Sequence, residues 1–392
     1  MNGSVYLDYA AATPVDPQVA TAMQPYLNDR FYNPSAAYKA AKSVRADFEN
    51  ARSTLAAWLG AKPSEIVMTA GATESANLAI NGVMSAYPEG RIAVSAVEHA
   101  AVAQTARQHK HDIIAVDAHG AVSESALRAA VAEDTVLVCI AYADGMLGTL
   151  QPIKRLGQVI AELRQARQAH GNSLPLYFYS DASQAAAYCD MHVSRLGVDL
   201  LTLSAPKVFG PKQVGLLFVK TGVIVQPQTS GGGQERGLRS GTENVAGVIG
   251  FAEAARIVQH SREKRLRTVT ELRDIFEQTI SAALGDDVVL TAARQRVPHI
   301  SHMSFKDVDG ETLLFMLDER GIMVATGAAC AANKQTASAV LLAIGMTESL
   351  RQGSIRCSFS HLLHRAQVLD AAQHIIECVQ ATTNRSKAVK AL

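Results

Sequence analysis

The chain has 392 residues, 48% of them hydrophobic and 19% charged, which is enough for two domains or one large domain with an appendage, without disulfide support. Its 37 basic and 36 acidic residues leave a net charge of +1, which excludes bulk electrostatic attraction to nucleic acid or to an anionic membrane. The five cysteines, at 139, 189, 330, 357 and 378, contain no Cys-x-x-Cys pair and fit no zinc or disulfide spacing, so any that matter do so as thiols.

The start, Met1-Asn-Gly-Ser4, lacks the form of a signal peptide, and no uninterrupted apolar run approaches the roughly 18 residues of a membrane span. The expectation is a soluble cytoplasmic protein that binds neither nucleic acid nor membrane. Ser4 to Pro17 reads as a short strand followed by turns, because two prolines prevent a long helix. Asn33-Pro-Ser35 is a turn signal before a helix over 36–59, whose apolar residues Val44, Phe48, Ala51, Leu55 and Leu59 recur at helical spacing.

Residues 65–80 read as strand, small-residue turn and helix. Gly71 allows close backbone approach, Thr73 adds a hydroxyl, and the bare amides of the helix start suit a phosphate. A third strand over 91–99 is expected to end in His99. From 100 to 175, strand patterns at 112–116 and 135–141 alternate with helical ones at 124–131 and 153–169, which predicts a mostly parallel sheet covered by helices.

The apolar run at 176–180 leads into Asp181. A second buried-strand pattern at 199–203 ends in Ser204-Ala205-Pro206-Lys207, ahead of a Gly-Pro turn. Lysine at the end of a buried strand faces a cleft, where a desolvated amine becomes a nucleophile toward carbonyls. Asp181 and Lys207 at strand ends converge where open sheets bind ligands. A carboxylate for a ring nitrogen and an amine for an aldehyde fit pyridoxal 5'-phosphate, with Lys207 as its Schiff-base lysine.

Beyond a strand at 214–220, Ser230-Gly-Gly-Gly-Gln-Glu-Arg236 to Thr242 lacks G-x-G-x-x-G spacing and reads as an anion-suited loop. A long helical pattern follows over 244–283, with the charged run 262–267 read as a solvated face. We place the domain boundary in this helix, giving a large cofactor domain at 15–255 and a small one made of 1–14 with 256–392. The last residues, 384–392, read as frayed. Cys330 lies among Gly and Ala, a setting for a mobile nucleophilic thiol, whereas the other four cysteines read as packing residues. Arg356, inside a short strand at 353–359, offers a planar fork for a substrate carboxylate.

Together Asp181-Ala-Ser-Gln184, Ser204-Ala-Pro-Lys207-Val-Phe-Gly-Pro-Lys212, Gly71-Ala-Thr-Glu-Ser75 and Gly327-Ala-Ala-Cys330 resemble the motifs of the pyridoxal-phosphate cysteine desulfurases, the NifS/IscS group of the class V aminotransferases. The resemblance runs from Tyr6 to Arg356. It implies an α/β fold of the pyridoxal-phosphate transferase type (fold type I), with a large mostly parallel domain and a smaller α+β domain, and an N-terminal arm crossing near the active site. It implies that Ala72 and Thr73 hold the cofactor phosphate, and that His99 stacks on the pyridine ring and exchanges protons with substrate. Asp181, Gln184, Ser204 and Lys207 complete the cofactor shell, and Thr242 reaches the phosphate of the partner subunit in a homodimer. The implied reaction converts L-cysteine, held by Arg356, to L-alanine. Sulfur passes to Cys330 as a persulfide and onward to an acceptor protein, iron–sulfur cluster assembly being one such destination. A related lyase or aminotransferase, such as one acting on selenocysteine, and a degenerate homologue serving as an interaction subunit are the alternatives.

Three positions depart from the family. Pro206 replaces a histidine able to donate to the cofactor phosphate. Asp144-Gly145-Met146 replaces Asn-Asn-Glu, whose second asparagine bonds the cofactor's phenolic oxygen. The histidine after Asn-Pro-Ser is absent, with Tyr38 nearby. A carboxylate beside that oxygen is repulsive unless protonated or turned away.

Overall fold

The computed structural model describes residues 4–291, 293–326 and 334–390. The chain opens with a two-residue strand, β1 (Val5–Tyr6). It then builds a seven-stranded sheet from β2 (Ile66–Thr69), β3 (Arg91–Ser95), β4 (His111–Ile114), β5 (Thr135–Cys139), β6 (Tyr177–Asp181), β7 (Leu200–Ser204) and β8 (Gly215–Val219). The spatial order is β2-β8-β7-β6-β5-β3-β4. From β7 through β4 neighbours pair in parallel, and β8 alone runs antiparallel to both its neighbours. Near-continuous burial of β2, β5, β6 and β7 explains their unalternating apolar sequences, since helices cover both sheet faces. The predicted mostly parallel α/β sheet is what forms.

Helices Lys39–Leu59 and Ala72–Ala86 fall on the predicted segments, the first beginning three residues late because Asn33 Oδ1 accepts from the Ser35 amide and holds the preceding turn. Trp58 is buried edge-on to Phe251. The strand expected over 91–99 stops at Ser95, and His99 instead caps the helix Ala100–Ala106, its Nδ1 accepting from the Ala101 amide at 3.1 Å.

One unbroken helix of 40 residues, Val245–Leu284, runs from the large sheet to the second half of the chain. The charged run within it is not wholly solvated. Arg265 is only 4% exposed, its guanidinium lying 4.6 Å from the Phe209 ring centroid and facing His361. That cation–π contact ties the helix to the loop after β7.

The remaining strands are β9 (Val288–Leu290), β10 (Ile300–Phe305), β11 (Ile322–Met323), β12 (Ala325–Thr326) and β13 (Ser354–Ser358). They form a four-stranded sheet ordered β12-β13-β10-β9, while β1 pairs in parallel with β11. The terminal helix Arg365–Lys390 extends through most of the stretch read as frayed. Among the described residues no helix is long and apolar enough to cross a membrane.

Candidate active site

The carboxyl ends of β2, β3, β5, β6 and β7 and the amino end of β8 lie on one edge of the large sheet, where parallel sheets leave a crevice. A cavity of about 850 Å³ occupies that edge. Ala72, Thr73, His99, Asp181, Gln184, Ser204, Lys207 and Arg356 all line it. Thr242 is exposed and outside it, and Cys330 lies outside the described residues.

Asp181 is the last residue of β6 and pairs in register with Thr202 of β7. Its Oδ1 accepts from the Ser183 amide at 2.9 Å, which fixes the carboxylate at 8% exposure. Lys207 follows β7 by one 3₁₀ turn, Ala205–Lys207, which Pro206 favours by fixing φ. Pro206 contributes its carbonyl, accepting from both the amide and the hydroxyl of Thr13 at 3.0 Å.

Lys207 Nζ donates to the carbonyls of Ala10 and Ala11, each at 2.6 Å. The N-terminal arm thus lies across the lysine. Burial, reinforced by the Arg356 guanidinium, pulls the Lys207 amine down to about 8, against the opposing pull of Asp181 and Asp8. An amine of that kind is a competent nucleophile and base near neutrality.

The turn into the helix Ala72–Ala86 carries Gly71 at φ 143°, a left-handed-side conformation that favours glycine. A Cβ on Gly215 of β8 would come within 2.7 Å of the Gly71 Cα, so both glycines are needed to seat this turn on the sheet. The first amides of the helix have no intrahelical acceptor and open toward the cavity. Arg239 Nε pairs with Glu74 Oε1 at 2.8 Å and ties the glycine-rich loop to this helix start. That loop is anchored by Glu235, a left-handed residue whose buried carboxylate takes Arg52 and the Met68 amide.

Asp144 does not turn its bonded oxygen to the cavity. Its Oδ1 accepts from the amides of Met146, at 2.9 Å, and Leu147, so the carboxylate closes its own turn. Burial pushes it up to about 6 against those amides. Gln184 Nε2 donates to the Ala10 carbonyl, which leaves Oε1 to accept from His299 Nε2 at 3.2 Å and fixes that tautomer. Burial holds His299 neutral, at about 3, stacked on Tyr188.

Sequence reasoning missed Glu98, the residue before His99. It is buried, its Oε1 accepts from the Ala141 amide at 2.6 Å, and its Oε2 has no partner among the described residues. Burial, with Asp181 and Asp144 adding to it, pushes this carboxyl up to about 8. A carboxylate flanked by two others in a cleft is a signal only the fold reveals.

The model of the aminotransferase class-V family matches residues 5–370. The chain belongs to the aminotransferase class-V family. Within this family, a cysteine desulfurase IscS of Dictyoglomus turgidum is 37% identical over 387 residues, covering 96% of this chain and 95% of that one. A solved NifS-like protein superposes with a TM-score of 0.87 at 30% identity, over 95% of this chain and 98% of its own. SspA, solved in complex with cysteine, gives a TM-score of 0.76 at 30% identity, over 91% and 98%.

The Lys207 environment sets a pH expectation. The rate at which Lys207 condenses with an added aldehyde probe such as pyridoxal phosphate should rise with pH, reach half its maximum near pH 8 and level off above. The sign follows from burial favouring the neutral amine, the form that attacks a carbonyl. Stopped-flow absorbance between pH 6.5 and 9.5 reads it; a rise that continues past pH 9.5 without a plateau would mean an unperturbed lysine.

Proposed function

We infer that this protein is a pyridoxal-phosphate-dependent cysteine desulfurase acting as a homodimer. The observation that carries the reading is the opening of the Lys207 amine and the Asp181 carboxylate, from the ends of adjacent strands, into one cavity walled by Arg356. The full-length similarity to cysteine desulfurases supports the choice of substrate.

The donor set fits the cofactor. Lys207 offers the amine, Asp181 a fixed carboxylate for the ring nitrogen, and the start of the helix Ala72–Ala86 open amides for the phosphate. Ser183 Oγ lies buried among the lining residues with no partner among the described residues, a polar atom awaiting a bound group. Gly145 and Pro206 supply no side-chain donor, which leaves Gln184 and Ser204 to serve that side. Thr242, exposed beyond its own cavity, is available to the partner subunit's phosphate.

Bound pyridoxal phosphate supplies an aldehyde for the substrate amine and an electron sink for the bond broken at Cα. Arg356 binds the L-cysteine carboxylate by charge-assisted hydrogen bonds and orients the Cα–H bond toward Lys207. Lys207 Nζ then takes the Cα proton. Asp181 keeps a proton on the ring nitrogen by the nearness of its negative charge. His99, exposed at the cavity wall, moves the substrate thiol proton through its ring. The Cys330 thiolate attacks the substrate sulfur; the S–S bond forms as Cβ–S breaks, and the three-carbon fragment, reprotonated, leaves as L-alanine.

The test is an assay of alanine and protein-bound sulfane sulfur after adding L-cysteine to cofactor-loaded protein. Equal yields of both in the first turnover, with both lost in Cys330→Ala, are expected. Alanine formation undiminished in Cys330→Ala would instead favour a lyase in which no enzyme thiol accepts the chalcogen.

A further inference from the structure

Arg356 is engaged before any substrate arrives. Nη2 donates to Asp8 Oδ1 at 2.6 Å and Nη1 donates to the Gly145 carbonyl at 2.8 Å. A guanidinium carries five N–H donors, and these bonds spend one on each terminal nitrogen. Of the remaining donors, Nε is buried and has no partner among the described residues. Arg356 lines the cavity, whereas Asp8 does not.

Asp8 is itself held from several sides. The Tyr6 hydroxyl donates to its carbonyl at 2.8 Å, it bridges to Ser358 in parallel, and the preceding strand β1 pairs with β11. Two residues on, the Ala10 amide donates to Ser358 Oγ at 2.9 Å. The same arm then bonds Lys207 through Ala10 and Ala11. A carboxylate carried on backbone fixed this firmly serves as a post for a long, flexible side chain.

We propose that Asp8 is a positioning residue for recognition of the substrate carboxylate, holding the Arg356 fork, with the Gly145 carbonyl as a second post, so that its unspent N–H groups face the cavity. The proposal rests on the reading of Arg356 as the carboxylate binder. Arginine loses rotamer freedom when it grips a ligand, and two fixed acceptors exact that loss during folding, so the incoming carboxylate meets a preorganised fork. Gly145 gains a purpose here: its carbonyl is aimed at Arg356 by the turn that Asp144 closes. The opposite role, Asp8 as a mask competing with substrate for Arg356, predicts the reverse effect of its removal.

The test compares L-alanine with L-alaninamide, which differ only in the carboxylate, by titration calorimetry on cofactor-loaded protein. Wild type should prefer alanine by about tenfold or more, and Asp8→Ala, which removes the acceptor, should lose most of that preference while its affinity for the amide stays within about twofold. Asp8→Glu should restore much of the preference, and Asp8→Ser serves if the alanine variant does not fold. A preference that is unchanged or increased in Asp8→Ala, or equal weakening for both ligands, overturns the proposal. These constants are read without turnover, so a wild type that forms no alanine from cysteine would remove the desulfurase reading and leave this one to be judged on its own.

Discussion

Replacing Lys207 by alanine should abolish the visible absorbance of bound pyridoxal phosphate and lower alanine formation from L-cysteine by at least about 10³-fold, the scale of losing a positioned acid–base group together with a covalent anchor. Lys207 is the amine that the turn after β7 delivers into the cavity, and its depressed pKa of about 8 makes it reactive there. Lys212 also lines the cavity, but it is an exposed residue whose Nζ donates to the Thr13 carbonyl at 3.2 Å. The fold should survive, because the two bonds lost are to carbonyls of the arm, which keeps its pairing with β11 and its bridge to Ser358. Absorbance, circular dichroism and alanine yield on one preparation check all three expectations. Retained turnover would remove Lys207 from the chemistry.

Asp181→Asn should cost about 10²- to 10³-fold in kcat while leaving most cofactor binding intact, a loss on the scale seen when one preorganised electrostatic partner is removed. Asparagine keeps the Oδ1 that accepts from Ser183, so the geometry of the strand end is preserved and only the charge is lost. The same substitution has a signed second consequence. Asp181 raises the pKa of Lys207, so its neutralisation should move the half-maximum of the Lys207 condensation below pH 8. A shift upward, or unchanged kcat with a normal condensation curve, would place Asp181 too far from the ring nitrogen and from the lysine to act on either.

The large sheet was legible because its strands are buried on both faces and end in residues that buried strands do not tolerate in mid-course. Leu200 to Ser204 running into Lys207, and Tyr177 to Ser180 running into Asp181, announce a sheet edge with chemistry on it. His99 shows the limit of that logic: an apolar run identifies a strand, but the cap geometry that ends β3 four residues early depends on where the next helix begins. Arg265 was read as solvated because it sits in the charged run 262–267, and only the position of Phe209, more than fifty residues earlier, turns its side chain inward.

The departures from the family pattern resolve differently from their appearance in the sequence. A carboxylate at Asp144 repels a nearby phenolic oxygen unless protonated or turned away, and local amides capture its Oδ1 at two and three residues' distance. The pairing of Asp8 with Arg356 is not legible in the sequence, since the two lie 348 residues apart. Contacts of that range are set by topology, here by the arm pairing with β11 and bridging to β13.

The measurement that bears most directly on the account is borohydride reduction of the pyridoxal-phosphate-loaded protein, followed by digestion and mass spectrometry of the labelled peptide. The account predicts a single pyridoxyl group per chain, on Lys207. A label on Lys212, or one spread over surface lysines, would contradict it.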